Sequence, residues 1–163
     1  MDNFMGLILV DNQFLPQAIL LVQNAKDEIC ISSFKLESSD LPRGRRVKKF
    51  YDVLIERLKS GVKVKLLMNW HSNRRSVPKT NEPAGRKLQT HGGDVRFLKN
   101  NRCCHAKILV VDREKALIGS HNLSIRSCES NFELSYLIPD PESVAQISQV
   151  FESSFSDAQR LGS

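Results

Sequence analysis

Apolar positions follow two rhythms along the chain, and their alternation predicts its elements. A short apolar run, MGLILV (5–10), reads as a buried strand. Asp11 and Asn12 lead into a helix in LPQAILLVQNAK, with Pro16 suited to its first turn. EICISSFKL (28–36) reads as a second strand. Val47, Phe50, Val53, Leu54 and Leu58 then recur at helical spacing over 45–60, and Gly61 stops that helix. VKVKLLMNW (62–70) alternates as a third strand, and the polar stretch 71–82 lacks periodicity and reads as an exposed loop. Pro83 opens a short helix to about His91, closed by Gly92-Gly93. DVRFL is a strand and NNRCC a connection, while AKILVVD and KALIGS form a hairpin across Arg113-Glu114. FELSYLI (132–138) ends at Pro139, and Pro141 begins a last helix with Val144, Ile147, Val150, Phe151 and Phe155 on one face. The closing Leu161-Gly162-Ser163 reads as a tail added to the fold.

This order predicts an α/β fold, a mixed β-sheet flanked by helices on both faces, in one domain spanning 1–163. Composition agrees: 40% hydrophobic and 26% charged residues describe a globular chain, neither disordered nor fibrous. A net charge of +6 favours polyanionic partners, with nucleic acid and anionic lipid headgroups both fitting. Cys30, Cys103, Cys104 and Cys128 show no disulfide-framework spacing, and Cys30 reads as a buried free thiol. A reducing cytoplasm is the expected compartment. The N-terminal apolar run lacks a basic flank, and no stretch reaches transmembrane length.

The chemistry concentrates in the hairpin, where His105, Lys107, Asp112, Gly119, Ser120 and Asn122 form H-x-K-x4-D-x6-G-S-x-N. In extended chain, residues two apart share a face, so His105 and Lys107 project together. An imidazole serves as nucleophile or proton donor near neutral pH. A neighbouring lysine supplies positive charge for phosphoryl oxygens. Ser120 and Asn122 share a parity too; Asn122 can donate its amide to a phosphate, and Gly119 permits close backbone approach. Asp112 is an odd number of residues from both His105 and Lys107, so it is expected to face away and support the turn.

This pattern resembles the HKD motif of the phospholipase D superfamily at every specified position. A downstream S-x3-N-x-E, here Ser127, Asn131 and Glu133, is similar to the segment that follows that motif in the family. The opening helix–strand region and GVKVKLLMN are more loosely similar. The resemblance implies a two-step reaction without cofactor or metal. One histidine attacks phosphorus to form a phosphohistidine, and a second protonates the leaving oxygen and then activates water. Glu133 would orient an imidazole, as in a triad.

The chain carries one motif, and one imidazole cannot be both phosphorylated and the acid. The resemblance therefore implies a homodimer with a composite active site on its two-fold axis. The rival is a second histidine in the same chain: His71, His91 or His121. A zinc site from Cys103, Cys104, His105, His121 and Cys128 is a further alternative, poorly served by adjacent cysteines. For substrate, the sequence favours nucleic acid and an endonuclease. It is a minimal single-motif unit with basic clusters at Arg43, Arg45, Arg46, Lys48 and Lys49, and at Arg74, Arg75 and Lys79 in a loop. A phospholipid phosphodiesterase or transphosphatidylase is the second reading, since IRSCESNFEL resembles the cardiolipin-synthase branch. A non-catalytic nucleic-acid-binding module is the third.

Overall fold

The computed structural model describes residues 5–38, 44–70, 79–100 and 102–162. Eight strands form one sheet: β1 (Leu7–Val10), β2 (Glu28–Ser33), β3 (Lys63–Met68), β4 (Asp94–Phe97), β5 (Ile108–Val111), β6 (Lys115–Gly119), β7 (Leu134–Ile138) and β8 (Gln159–Arg160). Their order is β1-β7-β6-β5-β2-β3-β4-β8. β2, β3 and β4 run parallel, and the remaining neighbours pair antiparallel. The helices are α1 (Phe14–Gln23), α2 (Arg45–Lys59), α3 (Asn81–Gln89), α4 (Ile125–Glu129) and α5 (Pro141–Ser156).

Strand parity divides the core between two faces. Ile29, Ile31, Leu66, Met68, Leu109, Val111 and Leu117 pack beneath α1 to α4 with Leu15, Phe50, Leu54 and Leu88. Their alternates Cys30, Leu67, Val110, Ala116 and Ile138 pack beneath α5 with Val144, Phe151 and Phe155. Burying one side chain of the size of Phe151 contributes about 2–3 kcal/mol. This is the mixed sheet with helices on both faces that the hydrophobic rhythms predict.

Several boundaries differ from the sequence reading. β2 ends at Ser33, and Leu36 makes only an isolated bridge to Leu123. α3 begins at Asn81, placing Pro83 inside its first turn, where a missing N–H costs nothing. The hairpin strands are shorter than expected, so His105 and Lys107 precede β5 outside any strand. α4, unforeseen, bridges β6 and β7 with a single turn. Leu161 belongs to the fold: it is buried, donates its N–H to Val95 O (3.0 Å) and accepts from the Gln89 amide (2.8 Å).

Candidate active site

The motif residues other than Asp112 gather where β2 and β3 end and β5 begins. The Lys107 Nζ lies 3.0 Å from His105 Nδ1 and donates to the His105 carbonyl at 2.6 Å. Both groups rest on Phe34, the imidazole tilted at 4.9 Å between centroids and the ammonium 5.5 Å from the ring. The imidazole is exposed and Lys107 half-buried. Burial lowers the Lys107 pKa, although Cys104, Cys103 and Glu133 nearby favour its charge.

Asn122 and Glu133 are joined through α4. Asn122 Oδ1 accepts from the Lys35 N–H at 2.9 Å and from Ser33 Oγ at 3.5 Å, so its amide nitrogen is the end left to donate. Its N–H donates to Ser127 Oγ (2.8 Å), and that hydroxyl donates to Glu133 Oε1 at 2.8 Å. Glu133 also accepts from the Ser120 hydroxyl and from Asn131 Nδ2 (3.0 Å). Burial opposes its charge, but hydrogen bonds from Ser120, Asn131 and Ser127 outweigh that and hold the carboxyl below its usual range. Among the described residues, its bonds go to these side chains and not to His105. The orienting of an imidazole implied by the resemblance is therefore not made within one chain. Gly119 sits against β7: a Cβ there would lie 2.3 Å from Ser135 Oγ and 2.4 Å from Leu134 O.

Asp112 lies at the far end of β5. Its carboxylate accepts the N–H groups of Lys26 (2.9 Å), Asp27 (2.9 Å) and Glu28 (2.9 Å), tying the hairpin turn to the start of β2. Asp112 and Arg113 both hold left-handed backbone, φ 53 and 56. Burial disfavours the charge on Asp112, yet the Glu28, Asp27 and Lys26 N–H groups prevail and lower its pKa.

The rival histidines lie elsewhere. His121 is buried and stacked on Phe14 at 4.4 Å, with Nε2 donating to the Asp11 carbonyl (2.8 Å) and Nδ1 2.8 Å from Ser135 Oγ. Burial lowers its pKa, so it is a neutral core residue. His91 caps α3, its Nδ1 2.7 Å from Lys87 O, beside the N-terminal end of β4 and away from the site. His71 lies outside the described residues, as do Arg43, Arg74 and Arg75. Lys79 is exposed just before α3, and Arg45, Arg46 and Lys49 are exposed on α2.

The zinc alternative finds no assembled ligands. Cys104 and Cys128 are buried apart, and His121 is committed to Asp11. The metal-ligating types that do cluster among the described residues are Glu28, Cys30 and Glu152. Lys65 already holds both carboxylates, at 2.9 and 2.7 Å.

Two supporting residues escape sequence reading. Asp11, at φ 50, accepts the Glu133 N–H on Oδ1 (2.9 Å) and returns its own N–H to the Glu133 carbonyl (3.0 Å). Asn81, fully buried, accepts from the Leu36 N–H and donates to Phe34 O and Asn69 O, each at 2.8 Å. An Asp just after an apolar strand run is the only sequence signal for Asp11; Asn81 offers none.

Comparison with known proteins agrees with this geometry. Residues 19–155 match the family described as "Cardiolipin synthase, PLD-like domain". Cardiolipin synthase 1 of Staphylococcus epidermidis is 37% identical over 65 residues, covering 40% of this chain and 13% of that protein. The chain thus matches only a small part of that relative's length. Among solved structures, the phospholipase D family member Nuc of Salmonella typhimurium superposes with a TM-score of 0.78 at 17% identity, covering 98% of this chain and 100% of Nuc. NucT of Helicobacter pylori gives 0.78 at 16% identity, covering 98% and 100%.

Proposed function

The chain belongs to the phospholipase D superfamily, and we propose that it is an endonuclease that hydrolyses nucleic acid through a phosphohistidine formed on His105. The observation that carries this reading is the exposed His105 imidazole, held 3.0 Å from the Lys107 ammonium with the Asn122 amide left to donate. His105 Nε2 attacks phosphorus while Lys107 and Asn122 take up charge developing on the non-bridging oxygens. A second imidazole protonates the leaving oxygen, then removes a proton from the water that breaks the N–P bond. No step requires a metal.

Among the described residues His121 and His91 are committed elsewhere, and the family's two-histidine chemistry then takes its second imidazole from the His105 of another copy of the chain. An apolar surface beside the site supports that pairing. Ile8, Tyr136 and Ile118 lie in register across β1, β7 and β6, and Leu134 and Phe132 extend the patch toward Glu133. Phe132 is 86% exposed and Ile8 58%, an arrangement that asks for a cover. Exposed Arg45, Arg46, Lys49, Lys79 and Arg102 favour a phosphate backbone as substrate.

Phospholipid transphosphatidylation is the second reading, favoured by the cardiolipin-synthase likeness of residues 19–155. Among the described residues no helix is long and apolar enough to cross a membrane. Parallel assays on single-stranded DNA, duplex DNA, RNA and phospholipid vesicles, all in EDTA, separate the readings. Nucleic acid is expected to be cut, and His105→Ala to abolish cleavage. Activity lost to EDTA and restored by a divalent metal sinks the mechanism. Turnover of phospholipid alone transfers the site to lipid chemistry, and binding without turnover leaves a binding module.

A further inference from the structure

The nucleophile stands on backbone that no ladder holds. The β2–β5 ladder ends with Ser32 opposite Ile108, and residues 102–107 have no regular structure. An exposed imidazole on free chain would occupy many positions, and in-line attack tolerates few of them. Yet both peptide neighbours of His105 are fixed by buried side chains. Ser32 Oγ donates to the Ala106 carbonyl at 3.0 Å, and the Cys104 N–H donates to Asn69 Oδ1 at 3.2 Å. The Cys104 thiol packs between them, 3.2 Å from Ser32 Oγ and 3.6 Å from Leu67 O.

The clamp is itself anchored. Ser32 is 3% exposed and lies within β2; Asn69, 1% exposed, follows β3. The Asn69 N–H donates to Ser33 O (3.3 Å), and its carbonyl accepts from Asn81 Nδ2 (2.8 Å). The Cys104 N–H and Asn69 Oδ1 meet in a buried setting where water does not substitute for a lost partner, while the partly buried Ala106 carbonyl is held by a donor fixed in β2.

We infer that Ser32 and Asn69 are positioning residues that hold His105 for attack by clamping the backbone on either side of it. This rests on reading His105 as the nucleophile. Neither side chain's hydrogen bonds reach the imidazole; both act through the Cys104 and Ala106 peptides.

The test is steady-state hydrolysis of bis(p-nitrophenyl) phosphate by the full chain and its Ser32→Ala, Ser32→Thr, Asn69→Ala and His105→Ala variants. Urea midpoints and amide exchange at Cys104 are measured alongside. Ser32→Ala is expected to lower kcat at least about tenfold with KM nearly unchanged, and Ser32→Thr to recover most of it. Asn69→Ala is expected to lower kcat likewise and to speed Cys104 amide exchange about tenfold or more. An inactive His105→Ala with Ser32→Ala and Asn69→Ala at wild-type kcat overturns the clamp alone. An active His105→Ala overturns the nucleophile, and the clamp with it. Should Ser32→Ala not fold, Asn69→Ala decides by the same criterion.

Discussion

Lys107 and Asp112 share one motif and do opposite work. The ammonium of Lys107 sits among His105, Phe34 and the approach to Glu133, where it can meet a phosphoryl oxygen. Lys107→Ala is expected to cut turnover by about a hundredfold or more while leaving the unfolding midpoint near wild type. The carboxylate of Asp112 holds three N–H groups at the opposite end of β5. Asp112→Ala removes those acceptors and places alanine at φ 53, so urea unfolding at neutral pH is expected to show a loss of about 2 kcal/mol. The sign with pH follows from the lowered folded-state pKa. The charged carboxylate stabilises above its unfolded value of about 3.9, and that contribution fades as pH falls through the folded value. The difference between Asp112→Ala and wild type is therefore expected to shrink in acid. A constant difference down to the acid transition would assign the loss to backbone strain alone.

At the scale of elements, long amphipathic segments and the hairpin were legible because periodicity reports burial directly. Odd spacing pointed Asp112 away from His105 and Lys107, but its place is set by the left-handed turn past the far end of β5. α4 was not legible: Ile125–Glu129 is a single turn, too short to show a helical stripe. β8 was hidden for the same reason, with two residues and no alternation. The reciprocal bonds of Asp11 with Glu133, and the buried staples of Asn81, join residues remote in sequence through polar contacts that hydrophobic rhythm does not encode. α4 nonetheless delivers Ser127, which links the Asn122 N–H to the Glu133 carboxylate. Removing that hydroxyl takes one donor from Glu133 and lets its pKa rise, because donors to a carboxylate stabilise its charged form. Ser127→Ala is expected to move the acidic limb of the rate profile toward neutral pH. A limb that stays in place while the maximal rate falls would leave Ser127 a scaffold residue and remove Glu133 from the chemistry.

On the proposed mechanism, one chain supplies one of the two imidazoles that the cycle uses. One face of the sheet passes out from beneath α5 and ends in the exposed row Ile8, Tyr136 and Ile118, adjoining Leu134 and Phe132 near the site. Two copies joined there would bring their His105 side chains together as nucleophile and acid on one axis. The stoichiometry of such a site differs from that of two independent sites. When wild-type and His105→Ala subunits are mixed and exchanged, only pairs with both imidazoles complete the cycle. Activity should then follow the square of the wild-type fraction, reaching about a quarter of the maximum in an equal mixture. Independent sites would follow the fraction itself and give about a half. Ile8→Glu places a charge at the edge-strand end of the patch, away from the site. It is expected to yield folded monomers by sedimentation and to lose activity in proportion to the dimer lost. A monomeric Ile8→Glu that cleaves at the wild-type rate, or a linear mixing curve, would return the second proton transfer to a group within one chain.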